Sequence, residues 1–448
     1  MITNQSNLHI IGGGTVFHVR NHLALAAVAY GKTAKFLFEN FKSTSLAIIT
    51  GSSSNSDDWI RKINGPDNYK FHLHLTKMAN SESSLETNED ISNLVDKLIA
   101  EPKTKVIIFN PALVDYESNI VENPPGEMLD VSTPSGKYEK RLKTSEGNQR
   151  MTLTPAKKIL SKIRKERKDI FLVAFKTTCG ATEDEQFLAG LHLLKSNSCN
   201  LVLANDTKTR VNMIITPEQA RYEVTTDRDR VLKTLVNMTL ARSKLTFTRS
   251  TIMPGESVKW SSEHVPESLR KVVDHCIAKG AYKPFNGSTV GHFAIKVDDN
   301  RFLTSKRKEN YNNLDKVGLV EVVSSDNNSV IAYGSKPSVG GMSQRIVFKD
   351  HPGYDCIVHF HCGIKDGVKI STKPQQMLEC GSHQCGQNTS NGLELYENGI
   401  KAVFLDNHGP NIVFKKDIDP QLVINFIDKN FDLSQSTDGI DRNKVMVQ

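Results

Sequence analysis

The chain has 448 residues, a formal net charge of +7, 38% hydrophobic and 24% charged residues, which excludes a disordered chain and a single small domain. No segment approaches the ~18 continuous apolar residues of a membrane span. No basic run is interleaved with aromatics, and aromatic residues are only 7%. Neither a membrane nor nucleic acid is therefore signalled as a partner, whereas a mild excess of positive charge suits anionic small substrates. Seven cysteines, an odd number without dense spacing, read as thiols in a reducing compartment, and the protein is expected in the cytoplasm.

From Leu8 to about Thr207, β-branched runs alternate with helix-length segments: LHII, then 22–41; LAIIT (46–50); FHLHL (71–75), then 91–100; KVIIFN (105–110); 155–167; IFLVAF (170–175), then 184–195; NLVLAN (200–205). That order predicts an α/β domain with a parallel sheet wrapped by helices, whose strand ends carry the ligand. Residues 117–150 are polar and Pro/Gly-punctuated, and read as a lid or binding loop. The pattern lapses over TIMPGESVKWSSEH (251–264), the best candidate boundary. A helix is expected at 265–279 and strands at 292–297, 318–323, 329–333, 355–360 and 402–405, giving a second domain with a largely antiparallel core. The end, Ser434 to Gln448, reads as a frayed tail. The expected domains are 1–248 and 262–435, with a tail at 436–448.

Three glycines follow the first strand in IIGGGTVFHVR (10–20). Glycines at such a place let backbone amides approach a phosphate. In the same order come GK (31–32), PALVDYES (111–118), RLKTSEGNQRMTLTPAKKIL (141–160), VAFKTT (173–178) and LLKSNSCNLVLANDT (193–207). On these motifs the N-terminal ~240 residues resemble the phosphopantothenate-cysteine ligase family. The resemblance implies a Rossmann-like fold that activates a carboxylate with a nucleoside triphosphate, ATP or CTP. It implies that Gly13, Gly14 and Thr15 face the phosphates, that Asp115 sits at a strand end in the site, and that Lys176, Lys195 and Asn205 line the nucleotide pocket. Two positions depart from the family pattern: Ala27 stands at the place of a catalytic Asn, and Thr178 at that of an acid.

CIVHFHC (356–362) sets His359 and His361 two apart on a strand, so both point the same way. A catalytic zinc needs a third ligand, and FLDNHGP (404–410) offers His408. FHLHL has the same spacing, but His72 and His74 read as an alternating half-exposed strand. Residues 265–435, through PSVGGMSQRIVFKDHPGYDCIVHFHC (337–362), ECGSHQCGQNT (379–389) and NHG, resemble the class II aldolase/adducin family. The resemblance implies an α/β/α domain in which His359, His361 and His408 bind zinc, or a similar divalent ion, and a site between subunits of a homo-oligomer.

Gly340 stands where that family has its acid/base residue, so another group must move the proton; of Glu379, His383, Asp350 and His351, the segment carrying Glu379 and His383 is favoured. TVGH (289–292) and TSKR (304–307) occupy the family's phosphate-binding positions, which makes His292, Lys306, Arg307 and Ser338 the candidates for gripping an anionic substrate. Cys380 and Cys385 are a lesser alternative as metal ligands. The expectation is a two-domain enzyme pairing a nucleotide-binding ligase-like domain with a zinc-dependent lyase, epimerase or dehydratase domain acting on a phosphorylated or acidic substrate. Its rivals are an enzyme with one active domain and one scaffold, and an adducin-like binding module.

Overall fold

The computed structural model describes residues 5–50, 69–122, 131–326 and 328–437. These form two compact units: one of Met1–Thr178, Leu193–Asn212 and Thr225–Thr239, the other of Cys179–His192, Met213–Val224 and Leu240–Gln448.

In the first unit the strands Lys70–Leu75, Asn7–Gly14, Thr104–Ala112, Phe171–Thr178 and Leu201–Asp206 lie side by side in that order, and each pairing is parallel. Their near-continuous apolar runs follow from burial on both faces, as a parallel sheet requires. Leu8, Ile10, Ile11, Val106, Ile107 and Ile108 are all fully buried. The helix Asn88–Ala100 is started by a reciprocal capping box between Thr87 and Asp90, and it buries Ile91, Val95, Leu98 and Ile99 at helical spacing.

Several expectations for this part are corrected. The 22–41 stretch is not one helix: Leu23–Ala26 is a strand paired antiparallel with Val16–Arg20. Gly31, at φ +69°, reverses the chain before the helix Lys32–Thr50 begins. That helix runs through LAIIT (46–50), which the β-branched residues had marked as a strand; helical continuation outweighs a short β-propensity signal. The 117–150 segment contains a three-stranded antiparallel sheet of Tyr116–Glu122, Val131–Thr133 and Arg150–Pro155. The helix expected over 155–167 is confined to Leu160–Glu166. His72 and His74 lie on the strand Lys70–Leu75 and are half-buried.

The second unit is built on a larger sheet in the order Arg249–Met253, Ser329–Tyr333, Val320–Ser324, Arg301–Thr304, His292–Lys296, Cys356–His359, Gly409–Phe414, Lys401–Leu405, Thr372–Lys373. Its pairings are antiparallel except the first and the last. Side chains alternate strictly between two cores. Phe293, Ile295, Cys356, Val358, Ile412 and Phe414 pack with Leu269, Val273, Val423 and Phe426 of the helices Glu267–Ala278 and Pro420–Asn430. Ala294, Ile357, Val413, Val403 and Leu405 pack with Val347, Phe348 and Cys385 of the helices Met342–Asp350 and His383–Gly392. Helices on both faces of one sheet make this an α/β/α layer structure. The supposed lapse after Arg249 holds an edge strand, Arg249–Met253, and the strand Phe431–Ser436 runs into the first residues of the expected tail. Among the described residues no helix is long and apolar enough to cross a membrane.

Candidate functional site

The strand Cys356–His359 lies between His292–Lys296 and Gly409–Phe414, and its register sets His359 opposite His292 on one side and Asn411 on the other. By the period-two alternation, His359 and His292 lie on the face that packs the helices Met342–Asp350 and His383–Gly392. The strand ends at His359, earlier than expected, and His361 lies just beyond it. Two glycines let neighbouring chains close in on this segment. A Cβ on Gly409 (φ +117°) would stand 2.2 Å from the Phe360 carbonyl oxygen, and one on Gly291 (φ +107°) 2.5 Å from that of His359. The glycines of TVGH and NHG therefore bring the histidines together.

His359, His361 and His408 are buried, and each brings a ring nitrogen within 4.8 Å of the other two. Their ring centroids are 4.7 to 4.9 Å apart. His359 Nδ1 donates to the Pro410 carbonyl at 2.7 Å, which fixes the tautomer and leaves Nε2 with a free lone pair. That Nε2 and both ring nitrogens of His408 are buried without a hydrogen-bond partner. Buried polar atoms left unmatched are costly unless something occupies them. Burial pushes the His359 imidazole down to about 4, and burial together with the neighbouring imidazoles holds His292 and His408 well below their ordinary range. His359 and His408 are thus neutral at pH 7, the form that ligates a metal. The donor set fits a divalent ion of the zinc type.

The other sequence candidates of this unit divide. His292 is buried with its ring 4.9 Å from that of His359, and its Nδ1 has no hydrogen-bond partner. Ser338 is buried in a hydroxyl network, 2.7 Å from Tyr311 Oη and 3.1 Å from Ser305 Oγ. Lys306 is buried but turned inward, with Nζ donating to Ser257 Oγ and to the Val317 carbonyl. Arg307 is exposed. Glu379 is buried at 8% exposure. His383 Nε2 lies 3.1 Å from Thr248 Oγ1, and burial, with Arg345 nearby, lowers its pKa. Gly340 lies against the same threonine, since a Cβ there would meet Thr248 Cβ at 3.6 Å. Asp350 and His351 are tied up with Ser390, the former by a 2.7 Å hydrogen bond. Cys385 is buried beside Gln375, and Cys380 is half-buried.

Sequence reading missed Arg242 and Glu218, a buried ion pair beside the 376–380 segment. Nothing local signals them; both fall in a region the motifs assign to the N-terminal half, and only the fold brings them to Cys380.

In the first unit, Gly13, Gly14 and Thr15 lie at the end of the strand Asn7–Gly14, and the groups of Gly14 and Thr15 are held by neighbouring chain. Gly14 N–H donates to the Ala29 carbonyl at 2.7 Å and Thr15 N–H to that of Ala112 at 3.0 Å. Thr15 Oγ1 donates to Asn88 Oδ1 and accepts from Val114 N–H. A Cβ on Gly13 would collide with Thr76 Oγ1, and one on Gly14 with the Ala27 carbonyl. These glycines thus make room for protein, and their amides face chain. Lys176 and Asn205 are half-buried at the ends of adjacent parallel strands, and Lys195, on the helix Glu183–Asn197, is also half-buried. Asp115 is exposed and paired with Lys158 at 2.8 Å.

No family model and no curated protein matches the chain. Among solved structures, the chain is similar to a DNA/pantothenate metabolism flavoprotein from Streptococcus pneumoniae, with 17% identity over 52% of this chain and 96% of that one, at a TM-score of 0.38. It is also similar to YgbL from Escherichia coli, with 17% identity over 36% of this chain and 83% of that one, at a TM-score of 0.27. A third likeness is to an L-fuculose 1-phosphate aldolase, with 13% identity over 37% of this chain and 81% of that one, at a TM-score of 0.26.

Proposed function

We propose that the chain is an enzyme whose C-terminal half holds zinc, or a similar divalent ion, on His359, His361 and His408, and acts as an aldolase-type lyase, epimerase or dehydratase on a phosphorylated or acidic carbonyl substrate. The observation that carries this reading is the buried set of three converging imidazoles, with His359 Nε2 and both His408 ring nitrogens unmatched by any protein partner. A bound ion would supply a Lewis acid that polarises a carbonyl or enediolate oxygen. The chain's own residues supply the rest. Because Gly340 bears no side chain, the buried Glu379 is the group that accepts or returns the proton. His383 supports that segment through Thr248. Ser338 and His292 face the substrate's anionic group, with Lys306 and Arg307 adding positive charge.

The same proposal gives the N-terminal half, 1–248, a nucleoside triphosphate (ATP or CTP) site on Gly13, Gly14, Thr15, Asp115, Lys176, Lys195 and Asn205, the aldolase-like half spanning 262–435, and a homo-oligomer in the cytoplasm. A second reading, in which that half is a scaffold, is favoured by the occupied Gly14 and Thr15 amides. Thermal-shift measurement with nucleotides and sugar phosphates separates them, since a specific ligand stabilises the native state by mass action. Stabilisation by phosphorylated carbonyl compounds alone selects the scaffold reading, stabilisation by ATP or CTP as well selects the two-site enzyme, and a chain that binds neither metal nor ligand refutes both.

A further inference from the structure

We infer that Arg242 and Glu218 are positioning residues that fix the turn from Gln376 to Cys380, and with it the Glu379 carboxylate. Both side chains are fully buried. Arg242 Nη1 donates to both Glu218 oxygens, at 3.1 and 3.2 Å. The remaining guanidinium edge, Nε and Nη2, donates to the Gln376 carbonyl at 2.9 and 2.8 Å. Glu218 Oε1 in turn accepts the Cys380 N–H at 2.7 Å. The two ends of a five-residue turn are thus held by the two halves of one ion pair, and Glu379 lies between them.

A planar fork is suited to this task, because one guanidinium satisfies a carboxylate and a carbonyl at once in fixed directions. Burial alone would depress Arg242, but Glu218, Tyr222 and Glu379 around it hold it above its ordinary value. Arg242 closes the helix Arg228–Arg242 and Glu218 follows the strand Asn212–Ile215, so residues far upstream of the aldolase-like stretch complete its site.

The alternative is a buried pair that merely stabilises the fold. Such pairs can be replaced by apolar residues of similar size without loss, whereas removing one partner strands a charge. Hydrogen exchange followed by mass spectrometry on the full chain distinguishes the two, read over 374–386 with the helix Pro420–Asn430 as internal control. In the double variant Glu218→Met/Arg242→Met, melting near the wild-type temperature, the turn should exchange at least tenfold faster while the control helix is unchanged. Arg242→Lys, which keeps the charge but not the fork, should show the same local effect. A double variant with wild-type melting and wild-type exchange overturns the inference. Should the double variant not fold, Arg242→Lys decides in the same way. The inference takes its importance from the role proposed for Glu379, but the exchange readout needs no metal. A wild-type chain without metal would sink the metal reading and leave the turn result standing, and unchanged exchange would do the reverse.

Discussion

His292 and His359 face each other across an antiparallel register, with ring centroids 4.9 Å apart and both side chains buried. Among the described residues neither ring is paired to a carboxylate. The pairing extends the cluster of three converging imidazoles by a fourth that lies outside their 4.8 Å set. Removing it should leave the three ligands in place. His292→Asn is therefore expected to retain metal close to the wild-type level while weakening the binding of inorganic phosphate or a sugar phosphate severalfold, by calorimetry. Loss of metal in this variant would make His292 a ligand and require the site to be redrawn.

Gly409 is expected to be intolerant of any side chain. Its φ of +117° and the 2.2 Å approach to the Phe360 carbonyl combine a disfavoured backbone with a steric collision. Gly409→Ala should lose about 2–4 kcal/mol in chemical denaturation. Its metal content should fall with it, because the collision falls between His408 and His361. A variant as stable as wild type would show that the close approach is not required.

Gly340→Glu should behave differently. The φ of +66° is strained for a side chain, but the nearest atom to a Cβ is Thr248 Cβ at an ordinary 3.6 Å. The expected cost is about 1–2 kcal/mol, with the fold retained and the carboxylate placed near Thr248 and His383. A loss as large as that of Gly409→Ala would contradict the open space seen there.

The contrast between these two glycines shows what was legible in the sequence. The histidines and the NHG and TVGH motifs were readable, because strand alternation and short spacings fix direction locally. The helix at Lys32–Thr50 was not, since its β-branched end mimics a strand. The strand Arg249–Met253 was also hidden, because an exposed edge strand carries little apolar pattern. Arg242, Glu218 and Thr248 reach the 376–383 segment only through tertiary pairing, which no window of sequence contains. The glycine run after the first strand was readable as close approach, but not what approaches: the Ala27–Ala29 chain and Thr76.

Acid should destabilise the first unit through His9 and His74. His9 Nδ1 lies 3.1 Å from His74 Nε2; burial, with His74 and His72 beside His9 and His72 beside His74, pushes both from 6.5 to about 4. The unfolded chain then binds protons that the folded chain refuses, so stability is fully present above pH 6.5 and is lost as pH falls toward 4. Denaturation midpoints at pH 7.5, 5.5 and 4.5 should fall in that order, and His74→Gln should flatten the slope. An unchanged slope in the variant would place the acid sensitivity elsewhere.

Lys195→Ala tests the nucleotide reading. Removing the ammonium should weaken triphosphate binding by about 1.5–3 kcal/mol, tenfold or more in affinity. Unchanged affinity by calorimetry, or no binding by the wild type, would favour the scaffold reading of that half.

Elemental analysis of the purified chain beside its His359→Ala, His361→Ala and His408→Ala variants tests the metal site most directly. Close to one zinc, or a similar divalent ion, is expected per wild-type chain and little in each variant, with all four proteins folded. Wild-type metal content in the folded variants, or a wild type that takes up no divalent ion when supplied with one, would contradict it.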